Sequence, residues 1–124
     1  MRKRSKLVSV IDDDESVREA LPDLLRSLGL SVEAFPSAEA FLGSQALGAS
    51  DGIILDVAMP GMTGPELQRE LRDRNLQVPI IFVTAFADDM VRERVIRDGA
   101  VECLFKPFSE DELQNALRLA SLVI

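Results

Sequence analysis

With 124 residues, 47% hydrophobic and 28% charged, the chain has the size and composition of one globular domain with its own core. Fourteen Lys and Arg against 21 Asp and Glu leave a net charge of −7, which argues against direct nucleic-acid binding. The absence of histidine excludes His-dependent acid/base chemistry, Ser-His-Asp nucleophiles, His metal ligands and a phosphohistidine on this chain, and the lone Cys103 excludes an internal disulfide.

The chain opens with the basic stretch Met1-Arg2-Lys3-Arg4-Ser5-Lys6, and residues 1–6 are expected to be disordered. The apolar run behind it, Leu7 to Ile11, is too short for a signal peptide and ends in acid, so a cytoplasmic protein is expected; no later run approaches a membrane span. Leu7–Ile11 reads instead as a first strand running into Asp12-Asp13-Asp14-Glu15. Val17, Ala20, Leu21, Leu24, Leu25 and Leu28 then form the stripe of a helix that Gly29 terminates, with a kink expected at Pro22. Leu30 to Phe35 reads as an edge strand, and Ser37 as the cap of a short helix burying Ala38, Phe41 and Leu42. Gly43 to Ser50 reads as a frayed helix end and loop.

Gly52 to Val57 is a short apolar run that stops on Asp56 and breaks into the Gly/Pro-rich turn Ala58-Met59-Pro60-Gly61-Met62-Thr63-Gly64. Such a run reads as a strand buried on both faces. Gly64-Pro65 starts a third helix in which Leu67 and Leu71 face the core and the polar remainder, from Gln68 to Arg74, faces solvent. Val78 to Thr84 is a fourth strand with a proline near its start. A helix from Asp89 to Asp98 buries Val91 and Val95, pairs Glu93 with Arg97, and ends at Gly99. Val101 to Phe105 is a fifth strand closing on Lys106-Pro107, and Ser109 with Glu112 forms the capping box of a last helix burying Leu113, Ala116, Leu117 and Ala120. Five strands alternating with five helices predict an α/β domain with a parallel sheet covered on both sides.

In such a sheet all strands end at one edge. Topology alone then gathers Asp12 and Asp13 from the first strand, Asp56 from the third, Thr84 from the fourth and Lys106 from the fifth. In the order 2-1-3-4-5 the first and third strands flank the switch point where ligands sit. Carboxylates crowded there repel by roughly 4 kcal/mol per pair at ~4 Å and an effective dielectric near 20, and a divalent cation relieves this; all-oxygen ligation with retained waters suits Mg²⁺. Each residue has a plainer alternative. Asp56 alone caps a turn, Asp12 or Asp13 alone is a solvated loop charge, Thr84 is an ordinary strand residue and Lys106 a surface cation; the functional reading rests on the set.

The chain resembles the receiver domains of two-component response regulators from Val8 to Ala120. The resemblance is carried by Asp12-Asp13, the pattern D-x-x-M-P-x-x-x-G from Asp56 to Gly64, Thr84-Ala85 and Lys106-Pro107-Phe108. It is most similar to receivers that precede a helix-turn-helix output domain. The resemblance implies a single flavodoxin-like, doubly wound domain over residues 1–124. Asp56 would be the phospho-acceptor, a nucleophile toward the phosphohistidine of a sensor histidine kinase. Asp12, Asp13, Asp56 and the Ala58 backbone carbonyl would hold Mg²⁺ or Mn²⁺, with Gly61 and Gly64 letting the turn fold around the metal. Thr84 would turn toward the phosphoryl group and Lys106 pair with its oxygens, the bond to Pro107 being cis. The chain would be a switch that catalyses only its own phosphorylation and dephosphorylation, read out through the helix at Asp89–Asp98, the fifth strand and the last helix. One residue departs from the family pattern: Cys103 stands where Tyr or Phe is usual, which puts transmission by a rotating aromatic in doubt.

Three other readings compete. A pseudo-receiver working by contact alone would not need the complete set of site residues. An aspartyl-phosphate hydrolase needs a second acid where Ala58 stands, and a flavin-binding protein of similar topology would find its phosphate repelled by Asp12-Asp13-Asp14. At the chain's end, Leu119, Leu122, Val123 and Ile124 extend the apolar character of the last helix, from which a homodimer contact or a linked output domain is expected.

Overall fold

The computed structural model describes residues 5–124. Most of the basic segment expected to be disordered therefore lies outside the described residues. Its last residue, Lys6, donates from Nζ to the Ser121 carbonyl at 2.7 Å, and the Lys6 carbonyl accepts from the Ser31 N–H at 2.9 Å.

The elements in chain order are β1 (Leu7–Ile11), α1 (Glu15–Ser27), β2 (Ser31–Phe35), α2 (Ala38–Leu42), α3 (Ala46–Ala49), β3 (Gly52–Asp56), α4 (Gly64–Asp73), β4 (Ile80–Thr84), α5 (Asp89–Arg97), β5 (Glu102–Phe105) and α6 (Glu110–Leu119). The five strands are all parallel in the order β2-β1-β3-β4-β5. β3 and β4 are buried at every position, because helices cover both faces and alternation with polar residues has no role there. On one face Val8, Val10, Ile54, Ile81 and Val83 pack against Leu21 and Leu25 of α1 and Leu113 and Leu117 of α6. On the other, Ile53, Leu55, Phe82 and Cys103 pack against Phe41 of α2, Leu67 and Leu71 of α4 and Val95 of α5. Fully burying each Leu, Ile or Phe is worth about 1.5–3 kcal/mol, so the two layers fix the sheet between them.

The structure departs from the sequence expectations in local ways. A sixth, four-residue helix, α3, occupies part of the stretch expected to be loop; the Ser44 hydroxyl accepts from the Ala46 N–H and the Ser50 hydroxyl donates to the Ala46 carbonyl, closing a turn too short to show a periodic stripe. Gln68, expected on a solvated face, is buried and donates from Nε2 to the Val95 carbonyl at 3.0 Å, so a partner on α5 satisfies the amide. No ion pair joins Glu93 to Arg97 among the described residues; Arg92 instead reaches across to Glu102 of β5 at 2.8 Å. At the C-terminus Leu119 and Ile124 are exposed, as expected of that apolar stretch, while Leu122 is buried beneath Gly52.

Candidate functional site

The register of the sheet decides what meets at its carboxyl edge. Ile11 is level with Leu55, so Asp12 and Asp56, each the next residue, emerge side by side from β1 and β3. Asp56 is level with Val83, and Thr84 with Phe105, so the hydroxyl follows one step further out on β4 and Lys106 one step beyond that on β5. Asp12, Asp13 and Asp56 each present a carboxylate oxygen within 4.8 Å of the others. Asp12 and Asp56 are buried, 0% and 5% exposed, whereas Asp13 faces solvent at the mouth.

Asp12 is held from four sides. Its N–H donates to the Phe35 carbonyl at 3.1 Å, its Oδ1 accepts from the Asp14 N–H at 3.0 Å, its Oδ2 accepts from Lys106 Nζ at 2.8 Å, and its carbonyl accepts from Arg18 Nη1 at 2.9 Å. Asp14 caps α1, accepting from both the N–H and the hydroxyl of Ser16, which holds its carboxyl below the usual carboxylate range. Lys106 lies 3.9 Å from Asp56 Oδ2, so its first partner is Asp12 and Asp56 is the weaker contact. The Lys106 N–H donates to the Thr84 carbonyl at 2.7 Å, which ties β5 to β4 at this edge, and the Lys106–Pro107 bond is cis.

Asp56 carries the electrostatic signature of the site. Burial, and after it the neighbouring Asp12 charge, push its carboxyl up to about 7, against the opposing pull of Lys106. Carboxylates within 4.8 Å of one another repel by at least roughly 3 kcal/mol per pair at an effective dielectric of 20, and with all three acids ionised the single Lys106 charge leaves the set at a net −2. An all-oxygen donor set carrying uncompensated negative charge, partly buried and open at Asp13, fits a hard divalent cation.

The Thr84 hydroxyl accepts from the Phe86 N–H at 3.1 Å, so it is engaged with its own loop rather than with Asp56. Phe86 itself is 69% exposed. Ala58 lies exposed two residues beyond Asp56, in the turn that ends at the N-cap Thr63 of α4. Gly64 permits the return of that turn: a Cβ there would run into the Asp56 carbonyl oxygen and lie 2.9 Å from the Phe82 ring. Cys103 is 3% exposed within the apolar layer, where burial pushes its thiol up to about 11 and leaves it a small inert hydrophobe. Asp12, Asp13, Asp56, Thr84 and Lys106 thus gather at one edge. Two further residues bear on the site without a sequence signal strong enough to single them out. Arg18 stands six residues after Asp12 and reaches back from the first turns of α1, a spacing that only the helix start at Asp14 could have suggested; Glu39 lies on α2, and no sequence spacing ties it to the turn after Asp56.

Comparison with known proteins bears on this geometry. Residues 8–118 match the model of the response regulator receiver domain. The chain is 44% identical over 120 residues to response regulator protein TodT of Pseudomonas putida, covering 97% of this chain and 53% of that protein. It is 40% identical over 111 residues to the transcriptional regulatory protein FixJ of Azorhizobium caulinodans, covering 90% and 53%. The solved structure of response regulator StyR superposes with a TM-score of 0.86 at 42% identity, over 94% of this chain and 59% of that one. The chain spans about half the length of the curated relatives it matches.

Proposed function

The chain belongs to the response regulator receiver family, a family of signalling switches, and from that premise we propose that Asp56 is its phospho-acceptor. The observation that carries the proposal is the grouping of Asp12, Asp13 and Asp56 within 4.8 Å, with Lys106 between the two buried acids.

In this reading an Asp56 carboxylate oxygen attacks the phosphorus of a phosphohistidine on a sensor histidine kinase. The new P–O bond forms as the P–N bond breaks, and the imidazole departs with the bonding electrons. Asp12, Asp13, Asp56 and the Ala58 carbonyl would hold Mg²⁺, or Mn²⁺ in its place. The cation, when bound, supplies charge neutralisation for the acids and for the oxygens of the transferring group. Lys106, already within 3.9 Å of Asp56, moves its ammonium from Asp12 toward those oxygens. The Thr84 hydroxyl, given an anionic acceptor, donates to it and releases the Phe86 N–H. The chain's catalysis is confined to its own phosphorylation and dephosphorylation.

The readout follows from what that release can move. The loop after Thr84 leads into α5, which buries Val95 alone and leaves Met90 80% exposed. A groove of about 290 Å³ beside it is lined by Arg92, Glu102 and Cys103 and, from α6, Glu112 and Asn115. We assign this α5–β5–α6 face to contact with a second copy or with an output domain linked in the same protein. The name of the relative FixJ supports transcriptional control as the output, and a cytoplasmic location fits that role.

The test is intact mass after incubation with acetyl phosphate and Mg²⁺. One added phosphoryl group on the wild type and none on Asp56→Asn is the expected result. An unmodified wild type, or a modification that persists in the variant, refutes the proposal.

A further inference from the structure

The turn that follows Asp56 is held from outside. The Met62 N–H donates to Glu39 Oε2 at 3.0 Å, a bond between residues 23 positions apart. At Gly61, where φ is +74, an added Cβ would lie 2.6 Å from the same oxygen, so the main chain passes directly beneath the carboxylate. Met59 and Met62 share an apolar layer with Ala38 and Phe41, so α2 gives the turn an apolar base as well as a charged hydrogen bond. At the far end the Gly64 N–H donates to the Val57 carbonyl at 3.0 Å, with no room for a side chain between Gly64 and the Asp56 carbonyl. The segment 57–64 is therefore fixed at both ends, and Ala58 lies inside it.

We infer that Glu39 is a positioning residue for the Asp56 site. It touches no reacting atom; by fixing the Met62 N–H it determines where the Ala58 carbonyl stands relative to the three carboxylates. The inference rests on the reading of Asp56 as a phospho-acceptor beside a cation that the Ala58 carbonyl helps to hold. What the Met62 N–H needs from residue 39 is an acceptor oxygen on a side chain long enough to reach across from α2, which Glu39 supplies. Outer partners that orient a ligand influence metal affinity without joining the coordination shell.

The experiment compares the wild type, Glu39→Ala and Glu39→Gln by calorimetric titration with Mg²⁺ and by ¹H–¹⁵N spectra of the metal-free proteins. Glu39→Gln keeps an oxygen able to accept the Met62 N–H but removes the charge. Glu39→Ala is expected to shift the Met62 amide resonance and weaken Mg²⁺ binding about tenfold, the lower end of what losing an orienting partner does, while Glu39→Gln stays within about twofold of wild type. Unchanged Mg²⁺ affinity in a folded Glu39→Ala overturns the inference. So does equal weakening in both variants, which would assign the effect to charge alone. Failure of the underlying reading looks different: there the wild type itself binds no Mg²⁺ and takes no phosphoryl group, and the inference falls with it.

Discussion

Neutralising Asp56 stabilises the metal-free protein, and does so increasingly as pH rises. The Asp56 carboxyl titrates near 7 in the folded chain against 3.8 for an ordinary aspartate. Because the folded value is the raised one, this group's contribution to stability is fully present below the unfolded value and is lost as pH climbs through 7. A carboxyl raised from 3.8 to about 7 forfeits about 4 kcal/mol once the loss is complete. Integrating proton release from both states, the loss is about 2 kcal/mol at about pH 5.5 and about 4 kcal/mol at about pH 8. Asp56→Asn keeps the shape of the side chain and removes the titration. Its stability relative to wild type should therefore rise by about 2 kcal/mol between those two pH values, whatever the constant offset between Asn and a protonated Asp. Urea unfolding followed by far-ultraviolet circular dichroism, with chelator present, measures this directly, and the comparison cancels the titrating groups that do not interact with Asp56. A difference independent of pH, or one that shrinks as pH rises, would refute the account of Asp56 as a buried carboxyl raised by desolvation and by Asp12.

Mg²⁺ should raise the thermal midpoint of the wild type more at about pH 8 than at about pH 5.5, because cation and proton compete for Asp56; at a hundredfold excess over Kd the stabilisation is about 2.7 kcal/mol. Equal shifts at both pH values, or the same shift in Asp13→Asn, would count against the three-carboxylate site. Lys106→Met leaves the buried Asp12 without its 2.8 Å partner and should destabilise the metal-free protein by about 3 kcal/mol at neutral pH, read from urea midpoints; a loss below about 1 kcal/mol would contradict the pairing. Gly64→Ala should lose about 1–3 kcal/mol and slow acceptance of a phosphoryl group, since its Cβ meets the Asp56 carbonyl and the Phe82 ring. Gly48→Ala, with nothing within 4 Å, is the control and should be neutral or slightly stabilising in the same unfolding assay.

The sheet was legible because β3 and β4 are continuous apolar runs, which only a strand covered on both faces requires, and because Gly29 and Gly99 mark helix ends at positive φ. The caps at Ser37 and Ser109 were readable from local chemistry. The box formed by Thr63 and Glu66 obeys the same rule and was obscured by the Gly64-Pro65 start signal beside it. What local spacing could not supply is the partner of a polar group on another element. Gln68 reads as surface until the Val95 carbonyl is placed above it, and Arg92 prefers Glu102 on β5 to any acid on its own helix. The site divides in the same way. Which residues gather follows from strands ending together; how each is engaged does not. Lys106 sits on Asp12 before Asp56, Thr84 on the Phe86 amide, and the turn after Asp56 on Glu39.

Those engagements bear on how a site without an aromatic at residue 103 can transmit a signal. Lys106 and Thr84 both have partners in the structure, at 2.8 Å and 3.1 Å; an anion on Asp56 competes with Asp12 for the Lys106 ammonium, whereas the Thr84 hydroxyl, an acceptor from Phe86, gives up that bond only by rotating to donate to the anion. Each exchange frees one specific group. Moving Lys106 uncovers the buried Asp12 carboxylate, which a cation at the three acids would neutralise. Moving the Thr84 hydroxyl frees the Phe86 amide, at the start of a loop in which Phe86 itself is already 69% exposed and whose helix buries only Val95. A main-chain hydrogen bond released beside a lightly packed helix can shift that helix without any side chain rotating at residue 103. The small, buried Cys103 then matters for the room it leaves: the groove above it, between Arg92 and Asn115, gives α5 and α6 space to close or to receive a partner. On the proposal that Asp56 accepts a phosphoryl group, it would be heard through the backbone of the loop after Thr84, and the size of the response would be set by how much more tightly that group holds Thr84 and Lys106 than Phe86 and Asp12 do now.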